Sequence, residues 1–234
     1  VEKVMFALRR DDADDDWCVR LRTEVANRLL DTGVPGLAVN VRDEPVRASL
    51  MTLTTLDPPV VAVVSVWTHR YHGPELRSVS DILAAECAEA AAYLVTESVP
   101  LPPPAAVGER TNGLANVALL RRPDDLDEHT WLTRWHVDHT PVAIATQATF
   151  GYVQNTVVRA LTAGAPRIDA IVEELFPQAA VTDLHAFFGA ADDADLSDRM
   201  QRMLASTGAF GADRDVDTVP TSRYVLRSPF GADA

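Results

Sequence analysis

One stretch of the 234-residue chain carries the spacing best suited to chemistry: Trp131-Leu-Thr-Arg-Trp135-His136-Val-Asp138-His139-Thr-Pro141-Val142. On a helix, at about 100° per residue, Trp131, Trp135, His139 and Val142 fall within one quadrant, with Asp138 at its edge. His139 therefore belongs to the core-facing stripe, directly after two tryptophans. An unperturbed imidazole titrates near about 6.5, so it can both take and return a proton at cellular pH. Pro141 has no N–H, which frees the carbonyl of Val137 and bends the helix beside this ring. The plain alternative is a core histidine bonded to a backbone carbonyl, and the helix by itself leaves both readings open.

Further polar groups surround this helix in sequence. In the strand Phe150-Gly-Tyr152-Val-Gln154-Asn155-Thr-Val157, alternation puts Phe150, Tyr152 and Gln154 on one face and Asn155 on the other. Tyr152 and Gln154 can offer a phenol and an amide to a pocket, and Asn155 serves a pocket or a neighbouring backbone. The run Val181-Thr-Asp183-Leu-His185-Ala-Phe187-Phe188 reads as a strand with Asp183 and His185 on one face. A carboxylate touching that imidazole raises its basicity, although such a pair is more often a solvated strand end. His136 and His139 have a spacing that metal ligands use. Their helical directions differ by about 60° and no Cys or Glu completes the set nearby, so no metal is expected. No cofactor is expected either: Gly33–Gly36 and Gly208–Gly211 lack the strand-turn-helix setting of a phosphate loop, and Gly-x-Ser-x-Gly is absent.

The elements that must position these groups occur twice. Phe6-Ala-Leu-Arg-Arg-Asp-Asp-Ala-Asp-Asp-Asp-Trp17 is echoed by Val117-Ala-Leu-Leu-Arg-Arg-Pro-Asp-Asp-Leu-Asp-Glu-His-Thr-Trp131. Both run from an apolar strand through paired arginines and an acidic turn into a helix whose first large apolar residue is tryptophan. Ala92-Tyr-Leu-Val-Thr-Glu-Ser-Val-Pro100 matches Arg223-Tyr-Val-Leu-Arg-Ser-Pro229 in the same way. In this register the stripe Trp131/Trp135/His139 becomes Trp17/Leu21/Val25, so the architecture does not itself require a histidine.

The first unit (residues 1–107) reads as strand Val4–Arg9, helix Asp14–Asp31, strand Gly36–Arg42, strand Pro59–Thr68, helix Ser78–Glu89 and strand Ala91–Val99. An extra hairpin is expected over Val46–Leu56, and Pro100-Leu-Pro-Pro-Pro104 forms a stiff connector. The second unit (residues 108–234) repeats the order with strand Ala115–Arg121, helix Asp127–Ala145, strand Thr149–Val158, strand Ala180–Gly189, helix Asp195–Ser206 and strand Val219–Ser228. Residues 159–178 read as an insertion with a short helix around Ile168–Phe176, and Ser228–Ala234 as a loose tail. Two tandem β-α-β-β-α-β units are ferredoxin-like, of the α+β class. Their two uncovered sheet faces would pack together into an intrachain barrel.

Composition narrows the partners. A net charge of −13 argues against nucleic acid, and the longest apolar run, Val60–Trp67, is far short of a bilayer span of about 20 residues. A cytoplasmic protein without a membrane partner is expected. Cys18 and Cys87 lack metal-type spacing and read as small buried hydrophobes within helices.

On the strength of Leu120-Arg-Arg-Pro-Asp-Asp-Leu, Trp131-x3-Trp135-x3-His139-x-Pro141, Tyr152-Val-Gln-Asn155 and Asp183-Leu-His-Ala-Phe-Phe188, the second unit resembles an EthD-type domain of the dimeric α+β barrel superfamily. The resemblance implies a cofactor-free barrel that binds a small, largely apolar metabolite, as a monomeric pseudo-dimer or a homodimer. It also implies lyase, isomerase or cyclase chemistry on a lactone, aromatic or polyketide-like molecule, with His139 as acid or base and Tyr152 stabilising an enolate. Trp135, Gln154, Asn155, Asp183 and His185 would then bind the substrate. A non-catalytic binding protein, a cofactor-free monooxygenase and a haem protein using His139 or His185 are the alternatives.

Overall fold

The computed structural model describes residues 1–104 and 106–230. Its strands are β1 (Glu2–Arg9), β2 (Gly36–Val41), β3 (Val60–Thr68), β4 (Glu89–Leu101), β5 (Leu114–Leu120), β6 (Gly151–Ala160), β7 (Ala170–Phe176) and β8 (Asp217–Arg227). They close into a barrel in the order β1-β3-β2-β8-β5-β7-β6-β4, with every pairing antiparallel. Each half of the chain contributes four strands in the ferredoxin-like order, and β2–β8 and β4–β6 join the halves. Two tandem α+β units thus form one barrel within a single chain.

Two apolar surfaces follow from strand alternation. Met5, Ala7, Val63, Tyr93, Val117, Leu119, Ile171 and Val219 fill the barrel interior. On the outer face of the first half, Phe6, Leu8, Val39 and Val64 pack against Trp17, Leu21, Val25 and Leu29 of helix α1 (residues 15–31). The second half repeats this with Leu120, Tyr152 and Val172 against Trp131 and Trp135 of helix α4 (residues 128–146). Between the two lie α2 (Glu44–Arg47) and α3 (Pro74–Ala84). After α4 come α5 (Leu184–Phe188) and α6 (Asp193–Phe210).

Asp14 caps α1 by accepting from the Trp17 N–H, and Asp127 caps α4 by accepting from Thr130. Both helices widen into π geometry, over Leu21–Val25 and over Thr133–His139. The two widenings end at the residues that the internal repeat makes equivalent, Val25 and His139. Since α1 contains no proline, Pro141 is not the cause of the widening; a π turn simply tolerates its missing N–H.

Three expectations are corrected. The segment 180–189 is not a strand: a 3₁₀ turn at Gln178–Val181 leads to α5, capped by the Asp183 carboxylate at one end and by Gly189 with φ 63° at the other. The third strand of the second half is β7, inside the stretch read as a helical insertion. Ala170-Ile-Val-Glu-Glu-Leu-Phe176 is buried along its whole length, and its two glutamates hid the strand pattern. Val46–Leu56 forms α2 and an irregular strap rather than a hairpin, held to β8 by the backbone bridge Leu53–Thr218 and by side-chain bonds from Asp217 and Thr218. Cys18 is helical and buried, whereas Cys87 sits in the turn after α3. Of the expected tail, residues 231–234 lie outside the described residues. Among the described residues, no helix is long and apolar enough to cross a membrane.

Candidate active site

A cavity of about 290 Å³ opens between the second-half sheet and the helices α4, α5 and α6. Its walls are mainly apolar, with Trp135, Phe187, Phe188 and Phe210 supplying the aromatic surface and Leu53 and Leu204 standing exposed at the rim. His139 lines it at 5% exposure, with its ring 4.8 Å from that of Phe210. The Nδ1 atom of His139 lies 2.9 Å from Ser206 Oγ on α6, leaving Nε2 as its second hydrogen-bonding atom. Burial pushes the imidazole down to about 4, so the ring is neutral at physiological pH.

The other titratable group in the wall is Glu174. Strand alternation sends Glu173 into the barrel, where it meets Lys3 Nζ at 3.0 Å, and turns Glu174 to the helix side. Although burial alone would raise Glu173, the Lys3 and Arg223 charges hold it below the usual carboxylate range. Among the described residues no cation and no side-chain hydrogen bond reaches Glu174, and burial raises it to about 7. Neighbours on the same sheet face frame it, since Glu174 pairs with Asn116 on β5 and with Tyr152 on β6. A carboxyl poised at this value can accept and return a proton near neutrality.

Among the described residues, two buried polar atoms on lining residues lack a protein partner, Asn116 Oδ1 and Gln147 Oε1, whereas the Trp135 indole N–H is directed at the Tyr152 hydroxyl. Buried polar atoms rarely stay unbonded, so two amide oxygens are free to accept from a guest. Among the described residues, the lining holds no lysine or arginine. An anionic guest would meet no compensating charge here, and desolvating it would cost several kcal/mol, on the order of 2–7 even for a neutral polar group.

The other expected site residues fall in different places. Trp135 is in the wall. Tyr152 is 1% exposed and lies outside the lining, beside Glu174; its phenol is pushed far up by burial and then by the Glu174 charge. Gln154 Nε2 donates to Thr140 Oγ1 at 2.7 Å, which ties β6 to α4. Asn155 faces the barrel interior and donates to Ile171 O and Glu173 Oε1. Asp183 and His185 are outside the cavity at the start of α5, with His185 Nε2 2.9 Å from Asp193 Oδ1. His136 diverges from His139, with its Nε2 3.5 Å from Thr156 Oγ1.

Sequence reasoning missed Glu174, Asn116, Gln147 and Ser206. A signal for Glu174 was present, because two adjacent acids in a buried strand must face opposite sides and one of them must lie under the helices. Of the two histidines that could hold a haem, His185 is outside the cavity and His139 lines it, and among the described residues the lining offers no cation for the acidic edge of the macrocycle.

Solved structures share this architecture. An anthrone oxidase-like protein superposes with a TM-score of 0.52 at 10% identity, covering 100% of this chain and 97% of that one. A candidate monooxygenase from Fusobacterium nucleatum subsp. nucleatum gives 0.51 at 9% identity, covering 97% and 93%. A chlorite dismutase variant from Candidatus Nitrospira defluvii gives 0.50 at 12%, covering 96% and 92%. At such identities the likeness establishes the fold, that of the dimeric α+β barrels. No protein-family profile and no curated protein matches the sequence.

Proposed function

We propose that the cavity is a cofactor-free proton-transfer site for a small, uncharged, largely apolar metabolite. The observation that carries this is an unpaired carboxyl, Glu174, buried in the wall of an apolar cavity with no cation beside it. Glu174 takes a proton from an activated C–H and returns it elsewhere on the carbon skeleton, which is isomerase or lyase chemistry. His139 remains neutral and binds a carbonyl or hydroxyl oxygen through Nε2, with Ser206 holding the ring. Trp135, Asn116 and Gln147 orient the guest, and Tyr152 acts through Glu174 by excluding water behind it. The EthD-type character of residues 108–234, separate from a degenerate unit at residues 1–107, and a cytoplasmic location belong to the same proposal.

A second reading is supported by the anthrone oxidase-like neighbour. Removal of a proton from an activated methylene also begins a cofactor-free oxygenation. The carbanion is then oxidised by dioxygen, so that the CH₂ group and O₂ become a ketone and water. Both readings need the same base and differ only in what traps the carbanion.

Deuterium exchange into the methylene of anthrone, followed without oxygen, tests the shared step. The wild type is expected to exceed the buffer rate, and Glu174→Gln to lower the enzymatic rate by at least about 100-fold. Exchange that survives the substitution unchanged would remove Glu174 from its role. Oxygen uptake in air, absent from the buffer control, separates the second reading from the first.

A further inference from the structure

Methionine is scarce in this chain, and its placement is uneven. There are four methionines in 234 residues, and three of them, Met51, Met200 and Met203, line the one cavity that holds Glu174 and His139. The cavity takes only 21 residues for its whole lining, so an even scatter would put no more than one there. They come from separate elements. Met51 is on the strap after α2, whereas Met200 and Met203 are three apart on one face of α6. The aromatic rings of Trp135, Phe187, Phe188 and Phe210 line the same cavity, and Met51, Met200 and Met203 pack against the cluster that holds Phe187 and Phe188.

This arrangement has a chemical consequence. A thioether side chain is unbranched, has three rotatable bonds and is polarisable, so it fills an irregular gap and makes favourable sulfur–ring contacts of about 0.3–1.5 kcal/mol. A wall of branched leucines would instead fix a single shape. Movable thioethers packed among these rings let the shape of the cavity follow its contents. The unbonded amide oxygens of Asn116 and Gln147 sit within the same lining and accept from whichever O–H or N–H group the guest presents.

We infer that the site has broad specificity for uncharged aromatic molecules bearing a hydroxyl or an N–H group, with the three methionines setting that breadth. The inference rests on the reading of this cavity as a small-molecule site, and it concerns which guests bind rather than whether they react. It assigns Met51, Met200 and Met203 a role in specificity and none in proton transfer.

Calorimetric titration with 1-naphthol, 2-naphthol, 4-hydroxybiphenyl and indole provides the test. Wild-type affinities are expected within about tenfold of one another, a spread of about 1.4 kcal/mol. The triple variant Met51→Leu/Met200→Leu/Met203→Leu conserves volume while adding branching. Its affinities are expected to spread beyond about 100-fold, with one or more of the larger guests lost. If the triple variant does not fold, Met203→Leu alone is expected to widen the spread in the same direction. A wild type that binds none of the four probes, or one that already discriminates among them by more than about 100-fold, overturns the inference, as does a variant with an unchanged profile. Deuterium exchange into anthrone does not report this spread of affinities, so failure of the proton-transfer reading and failure of the breadth reading appear in different experiments.

Discussion

A carboxyl group without a cation beside it must be hydrated or hold its proton, and Glu174 is only 8% exposed beneath the helices. Its value of about 7, against an ordinary 4.5, ties the candidate chemistry to stability. The raised carboxyl contributes stability that is fully present below pH 4.5 and is lost as pH rises to about 7. The loss is at most roughly 3 kcal/mol. Glu174→Gln removes this penalty, so the variant is expected to exceed the wild type in denaturant midpoint at pH 8 and to match it at pH 4. His139 runs in the opposite direction. Depressed from 6.5 to about 4, it contributes stability above pH 6.5 that is lost as pH falls through 4. His139→Val restores the residue that Val25 supplies in the first half, and unfolding curves between pH 6.5 and 4 should show a shallower acid loss than in the wild type. If Glu174 is the base, turnover should rise through about pH 7 to a plateau, because the ionised form is the acceptor.

At the scale of elements, the repeat was readable because its signals are local. Apolar strand, acidic cap and tryptophan-led helix recur at both Trp17 and Trp131, and the caps Asp14 and Asp127 occupy the expected places. The stripe carrying Trp135 and His139 was readable for the same reason. Glu174 was not, because β7 is buried on both faces and carries two acids whose environments are created by distant parts of the chain, Lys3 for one and the cavity for the other. Likewise Ser206 and Phe210 reach His139 only through the tertiary placement of α6. That placement depends on how α6 ends. Gly211 has φ 81°, and a Cβ there would lie 2.2 Å from Pro123 Cγ. Gly211→Ala therefore combines left-handed backbone strain with a collision against a rigid ring, and urea unfolding should show a loss of at least about 2 kcal/mol. Its Phe210 neighbour would shift from the His139 ring, so guest affinity should fall along with stability.

For the whole molecule, the consequence of fusing two units is that the first half helps to roof the cavity of the second. The strap after α2 brings Met51 and Leu53 to the cavity, and Asp217 at the start of β8 holds it there. The Asp217 carboxylate accepts from Thr55 N–H at 2.6 Å, Thr55 Oγ1 at 2.7 Å, Leu56 N–H at 3.1 Å and Arg121 Nη2 at 2.8 Å. Burial pulls this carboxyl upward, but the bonds from Thr55, Arg121 and Leu56 outweigh burial and hold it below its ordinary range. The anchor is thus charged at neutral pH, and its contribution is lost only as pH falls below the ordinary aspartate range. Asp217→Ala leaves the Arg121 side chain, itself 10% exposed, with Asp215 as its remaining partner and frees two backbone N–H groups of the strap. Leaving a buried donor without its acceptor costs about 1–3 kcal/mol, and the variant is expected to lose at least that much stability. Because the strap is the roof, the substitution should also speed guest dissociation by more than it slows association, which stopped-flow measurement with 2-naphthol would resolve. A variant with lower stability but unchanged dissociation would mean that the strap braces the barrel without covering the cavity.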